Sequence, residues 1–368
     1  MKMRYYLWRL YKIFEQEILV IPGRLIGSIG IIFLLSLGFV NISPYLKNLL
    51  IFCSIFALLA ASWDLLFFSG QLNLGHGAFF GASAYTSAIL SSKVGLPIWL
   101  TIPMGAIAGV IIGVIVAIPA LRLRGPYLAI VTLAVPVILE GIVFLFPQFT
   151  GGELGLFGLP GISDSPIFLY LFCFIIMLIS VGIMWKLTDT KSRILRTGII
   201  FCAIREDEIS ARTTGINTVK YKILAFALSG FFAGISGGLY AHTMKVVGPT
   251  TLEFIFSIYP LIWTVFGGAG TIYGPVIGTY ILYFFSSQLL VIVPEVRMVI
   301  FTAGIVIMIL FMPEGITQWV RDKLEITCPR CKRANSARRK FCRICDAPLH
   351  LESLGEEQKI DMRNKDRL

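Results

Sequence analysis

The sequence predicts an all-α polytopic membrane protein of about ten transmembrane helices with discontinuous glycine-rich segments, followed by a small zinc-ribbon-like cytoplasmic module. Three observations carry that fold class. The 368 residues are 56% hydrophobic and only 14% charged, against roughly 25% charged in soluble domains, and the mean hydropathy is +0.81. Several segments reach the ~18–20 apolar residues that cross a bilayer as a helix. Finally, the net charge of +11 is confined to three blocks: residues 1–24 carry five Lys/Arg against two acids, residues 186–222 eight against four, and residues 313–368 thirteen against nine. A soluble chain of this length would need far more polar residues to cover its core. Basic blocks between apolar segments orient a membrane protein, so a nucleic-acid partner is disfavoured and membrane lipid is the expected surroundings.

Residues 1–24 are basic and partly amphipathic, with no small-residue cleavage site after a short apolar core. They read as a cytoplasmic, interfacial lead-in and not as a cleaved signal peptide. The expected transmembrane domain is 25–317. Its spans lie near 25–42, 46–68, 72–92, 98–121, 126–147, 166–186, 223–243, 252–271, 273–293 and 297–312. An even number of spans puts both termini on one side. Arg122 and Arg124, the 186–222 loop and the tail then all fall on the cytoplasmic side, while the 148–165 loop, with Glu153 and Asp164 but no Lys or Arg, faces out. A multi-pass protein of the cell membrane with cytoplasmic termini is the expectation.

Some spans are irregular. LNLGHGAFFGASAYTSAIL (72–90) holds glycines at 75, 77 and 81, and SGFFAGISGG places Gly230, Gly234 and Gly238 four apart on one face. Small residues let helix backbones approach closely in lipid. FGGAGTIYGP (266–275) breaks a long apolar run. Backbone of that kind at membrane depth is buried in protein or lines a polar cavity, and discontinuous helices of this type line transporter pathways. The expected substrate pathway is therefore Asn73, Gly75, His76, Gly77, Gly267, Gly268 and Gly270. Packing and pathway remain alternatives for each glycine taken singly. Asp64, His76 and Glu140 are polar residues inside spans, and each should face protein or water. The chain has no HExxH and no phosphate-binding Walker loop, so no catalytic residue is expected and any ATP is bound by partner subunits, not by this chain.

AIREDEISARTTGI (203–216) mixes charges with small residues between apolar segments. Residues 203–214 have helical character and Gly215 is placed to end the helix. A surface linker and a knob that docks on a partner are both open on these residues alone. With the following GINTVKYKILAFALSGFFAGISGGLYA, the stretch resembles the coupling segment of a permease subunit from an ATP-driven (ABC) importer, and more narrowly the branched-chain amino acid and related amide or urea permeases. SGQLNLGHGAFFGASAYTSAIL, LRGPYLAIVTLAVPVILEGI, FTGGELGLFGLPGI, FGGAGTIYGPVIG and FMPEGI extend the resemblance, in order, over about 50–317. The resemblance implies a second homologous permease, two cytoplasmic ATPase subunits, an extracytoplasmic substrate-binding protein, and transport by alternating access. It makes 203–215 a cytoplasmic coupling helix, with Glu208 at the Glu of the family's Glu-Ala-Ala-type loop, Gly215 at its glycine and Ala211 on the small-residue face; Ile209 and Ser210 replace the two alanines.

Past the last span, CPRCKRANSARRKFCRIC places Cys328, Cys331, Cys342 and Cys345 as C-x2-C-x10-C-x2-C. Four thiolates so spaced can converge on a tetrahedral Zn²⁺. The expected module spans 326–348, holds a structural zinc and is followed by a flexible tail, 349–368. Two disulfides are the alternative, disfavoured in a reducing compartment. The rival functions are a urea or short-amide permease, a stand-alone ion-coupled transporter, and a zinc-dependent membrane scaffold.

Overall fold

A computed structural model describes residues 22–38, 40, 43–121, 123, 126–190, 196–312, 314–328, 334–336 and 349. The chain divides into two compact units, Gly38–Ile316 and the pair of terminal segments Met1–Leu37 with Thr317–Leu368.

The larger unit is helical. In chain order it holds α2 (Pro44–Phe68), α3 (His76–Ser92), α4 (Ile98–Ala120), α5 (Pro126–Leu145), the short α6 (Pro147–Thr150), β1 (Leu156–Phe157), α7 (Pro166–Thr188), α8 (Thr197–Glu206), α9 (Glu208–Thr213), α10 (Thr218–Met244), β2 (Val246–Val247), a 3₁₀ turn (Pro249–Leu252), α11 (Ile255–Gly267), α12 (Tyr273–Ile292) and α13 (Arg297–Phe311). The terminal unit holds α1 (Pro22–Leu37), α14 (Ile316–Leu324), β3 (Glu325–Thr327) and β4 (Ala334–Ser336), the two strands pairing as an antiparallel hairpin.

Each expected span overlaps one of these helices, and among the described residues six are long and apolar enough to cross a membrane: α2, α4, α5, α7, α10 and α12. The others are shorter for local reasons. α3 begins only at His76, because residues 71–75 run as irregular chain, and α11 is bounded by the 3₁₀ turn before it and Gly268 after it. Lipid-facing surface is abundant, as on α5, where Tyr127, Ile130, Val137 and Ile138 are exposed.

The centre of the larger unit is α2. Its apolar stretch is 94% buried, against 28% for that of α5, because α7, α10, α11 and α12 all pack around it. Ser43 caps its start, accepting from the Leu46 N–H at 3.4 Å, and Pro44 occupies the first turn. It stops at Ser69–Gly70, where Gly70 takes φ +81° and donates to the Phe67 carbonyl at 2.9 Å. Polar side chains of α2 reach its neighbours. Ser54 shares a hydrogen bond with Tyr280 at 2.7 Å, and two serines of α10, Ser229 and Ser236, donate to the Ser62 and Ile55 carbonyls at 2.9 and 2.8 Å.

The glycine stripe on α10 is a packing seam against α4. A side chain at Gly230 would run into the Gly109 carbonyl, at Gly234 into the Ala106 backbone 2.7 Å away, and at Gly238 into Ile102 at 3.2 Å. Where hydrocarbon offers no hydrophobic drive between helices, such close backbone approach is what holds them together. At the far end of α10, β1 pairs antiparallel with β2, Leu156 opposite Val247, and closes a small apolar cluster with Tyr85, Val143 and Leu252.

The expected zinc-ribbon-like module is corrected by this structure. A structural zinc site needs four converging ligands, and among the described residues no group of three or more His, Cys, Asp or Glu side chains is placed to hold a metal ion. Cys328 is buried, and Cys331, Cys342 and Cys345 lie outside the described residues. The structural Zn²⁺ is accordingly withdrawn.

Candidate functional site

The functional geometry is concentrated where α8 and α9 meet the ends of α2, α10 and α11. α9 is a six-residue helix with Asp207 as its N-cap. The Asp207 carboxylate accepts from the Ile209 and Ser210 N–H groups at 2.8 and 3.3 Å and from the Ser210 hydroxyl at 2.7 Å, which supplies the first-turn amides with the acceptor they lack within the helix. Glu208 turns inward: one carboxylate oxygen meets the Lys222 ammonium of α10 at 2.7 Å, and the other meets Arg212 at 2.8 Å. Lys222 and Glu208 are little exposed, 5% and 15% by side chain, so this pair is a charge-assisted clasp and not a solvated surface bridge. Ala211 is buried beneath the helix. Gly215 takes φ +87° and turns the chain toward Asn217, which caps α10 by accepting from the Lys220 N–H at 3.0 Å. This short helix presents outward Ser210, Arg212 and Thr213 together with Ile209, a large apolar side chain 61% exposed.

Three consecutive residues near the end of α2 hold the two irregular segments. Ser62 shares a hydrogen bond with His76 Nε2 at 2.8 Å. The Trp63 indole donates to the Asn73 carbonyl at 2.7 Å. Asp64 accepts from the Gly270 N–H at 2.5 Å and the Ile272 N–H at 2.8 Å. Asn73 folds back on its own chain, its Oδ1 accepting from the Gly75 N–H at 2.8 Å, while the Leu74 and Gly77 N–H groups donate to the Thr132 and Ser257 hydroxyls at 3.0 and 2.8 Å. Among the described residues the buried Asn73 Nδ2 and His76 Nδ1 find no hydrogen-bond partner. Gly75 lies on the Thr132 backbone, Gly77 on Ser257 and Gly267 on Gly274, each too close for a side chain, while Gly268 and Gly270 take φ +116° and +78°.

The structure thus brings the 73–77 and 267–270 segments to one helix end. Glu208, Ala211 and Gly215 form a compact separate element beside α10. Sequence reasoning singled out Asp64 as a polar intruder in an apolar helix without assigning it a task, and passed over Trp63, Arg205, Lys222 and Ile272. Lys222 is two residues from Lys220 in a basic run, and only three-dimensional pairing separates the buried cation from the exposed one.

Residues 45–311 match the family described as branched-chain amino acid transport system / permease component. The high-affinity branched-chain amino acid transport system permease protein LivM of Salmonella typhimurium is 31% identical over 295 residues, 72% of this chain and 68% of that protein. The protein of the same name from Escherichia coli is 32% identical over 289 residues, 70% of this chain and 66% of that one. The chain therefore spans about two thirds of the length of these two relatives. A ribose import permease protein, RbsC of Escherichia coli, is 28% identical over 293 residues, 75% of this chain and 85% of the relative. With its multiple membrane-crossing helices, the chain belongs to the family of branched-chain amino acid transport permease components, and its general function is that of an amino-acid transport permease and not an enzyme.

Proposed function

We propose that residues 25–317 form the permease subunit of an ATP-driven importer for branched-chain or related amino acids. The subunit works by alternating access beside a second homologous permease, takes substrate from an extracytoplasmic binding protein, and is driven by two ATPase subunits docked on the cytoplasmic α8–α9 arm. The observation that carries this reading is the build of α9: a helix clasped to α10 by Glu208–Lys222, braced within itself by the i,i+4 pair Glu208–Arg212, while Ile209 is left exposed. A lever needs a rigid root and a surface for the driver, and this element has both. Glu208, Ala211 and Gly215 are its coupling residues. Both chain termini lie on the arm side in this reading.

Asn73, Gly75, His76, Gly77, Gly267, Gly268 and Gly270 serve the substrate pathway. The unpartnered Asn73 Nδ2 and His76 Nδ1 support this role, since a buried polar atom without a partner is costly unless function retains it. The test is ATP-dependent uptake of leucine, isoleucine and valine into membrane vesicles holding the native assembly, with urea and ribose as competitors. Ile209→Glu should strip ATPase from the assembly in a mild-detergent pull-down without lowering the amount of the chain in the membrane. Retention of ATPase and full uptake by that variant would remove the arm from the mechanism. Dominant competition by urea would move the cargo to small amides.

A further inference from the structure

Four segments of the larger unit converge on the buried Asp64 carboxylate and the turn between α11 and α12. Asp64 is fully buried and holds two backbone N–H groups of the turn, Gly270 and Ile272. The turn is strained. Gly268, Gly270 and Ile272 take φ +116°, +78° and +55°. Glycine adopts such angles freely, but a β-branched residue at positive φ is an outlier that persists only where its surroundings over-determine it. Here the surroundings are the Asp64 bond to the Ile272 N–H and the burial of the Ile272 side chain. On one side Gly315, itself at φ +86°, presses on the Gly268 backbone so closely that a Cβ at 315 would stand 2.5 Å from Gly268 N. On another side stands Arg205, the penultimate residue of α8. Its Nη1 would lie 3.3 Å from a Cβ on Gly270, its Cα 2.9 Å from a Cβ on Gly70, and its guanidinium 5.4 Å from the Phe68 ring centre. Its charge acts on Asp64.

We infer that the Gly268–Ile272 turn, held by Asp64 and flanked by Arg205, is the joint that passes displacement of the α8–α9 arm into α11 and α12. Asp64 and Arg205 are positioning residues of the transport cycle. A strained turn held by two charge-assisted bonds in a water-poor site has a natural second state, in which those bonds lengthen and Ile272 relaxes. Moving Arg205 changes the field on the carboxylate that holds the first state, and interfaces of this kind switch between discrete packings instead of deforming smoothly. The inference rests on the importer reading, because the joint has a driver only if a partner moves the arm.

The experiment uses the complete transporter, with its partner subunits, reconstituted in vesicles; substrate moved per ATP hydrolysed is the readout. Arg205 is one-third exposed (34% by side chain), so Arg205→Ala spares the interior. The joint predicts that Arg205→Ala keeps assembly and ATP hydrolysis but lowers substrate per ATP by roughly tenfold, in the range of couplings between distinct sites, and that Arg205→Lys restores part of it. Asp64→Asn should do the same, with the double variant no worse than the weaker single. An unchanged ratio in Arg205→Ala, or an uptake loss that merely follows ATP hydrolysis or protein amount, overturns the joint. So does a double variant whose losses multiply. If Asp64→Asn does not fold, the Arg205 pair decides alone. Wild-type vesicles with no ATP-dependent uptake would instead overturn the importer reading itself and remove the joint's driver with it.

Discussion

The two ends of α10 are held in opposite ways. At the β1–β2 end, His242 is buried among neutral partners: its Nε2 meets the Thr101 and Ser87 hydroxyls at 2.9 and 3.1 Å, and its Nδ1 meets the Pro160 carbonyl at 2.9 Å. The ion pair there, Lys245 with Asp164 at 3.7 Å, lies in the open with Asp164 fully exposed. About 30 Å away along the same helix, the other end is tied by buried charge, with Glu208 on Lys222. Neutral hydrogen bonds backed by a backbone ribbon make a fixed closure. Buried charges hold tightly in one geometry and lose their compensation in another, which suits a region that changes state. The comparison teaches that one helix is closed by neutral hydrogen bonds and a backbone ribbon at one end and by a buried ion pair at the other.

The comparison breaks most decisively at Asp64. Asp64→Ala leaves two buried N–H groups without an acceptor, at about 1–3 kcal/mol each, and should sharply lower the detergent melting temperature along with uptake; a wild-type melting curve would show that the carboxylate holds nothing. Next in size is the seam both ends share. Gly230→Val drives a branched side chain into the α4 backbone and should cost on the order of 1–3 kcal/mol of overpacking, read as reduced folded yield with both ends equally affected. Glu208→Arg places like charge beside Lys222 and Arg212 and should abolish uptake while leaving the β1–β2 end intact. Uptake recovered on combining Glu208→Lys with Lys222→Glu would locate the effect in the clasp. Gly215→Ala meets no atom within 4 Å but must adopt φ +87°, so the expected loss is about 1 kcal/mol of arm stability, seen as faster local hydrogen exchange at 208–216. Smallest is Lys245→Ala, whose open pair with Asp164 should be worth nothing measurable in either melting or uptake.

The membrane class and the long apolar helices were legible because apolar length is a one-dimensional property, whereas the expected single helix over 203–215 breaks at Asp207 into Thr197–Glu206 and Glu208–Thr213. So was the Gly230–Gly234–Gly238 seam, since spacing of four puts residues on one helix face whatever the partner. The partner itself, α4, lies more than a hundred residues earlier, and spacing carries no address. The family resemblance was carried by separated motifs in order, and it proved sound over 45–311. Asp64 was visible as a charge in an apolar helix, but its acceptor role depends on N–H groups 206 and 208 residues away. Glu208 was read as part of a coupling face, whereas the side chain folds inward and leaves Ile209 outward, a rotation that the Lys222 clasp decides. The zinc expectation failed because C-x2-C spacing states only that thiols are able to meet. Among the described residues no ligand set is gathered.

The burial of α2 has a consequence for how the chain is made. It is the first long apolar helix of the larger unit to be synthesised; Ser62 and Trp63 meet His76 and Asn73 soon after, but Ser54 waits for Tyr280 and Asp64 for Gly270 and Ile272. The Ser54 and Ser62 hydroxyls have carbonyls of their own helix to donate to from the start, so the group left waiting is the Asp64 carboxylate. Asp64 lies only four residues from the end of that helix, close enough to the headgroups to remain hydrated. Assembly is then completed only as residues 270–280 enter the membrane. Both N–H groups that Asp64 accepts from lie past residue 269, so the bonds proposed as the transport joint are also among the last that α2 can form.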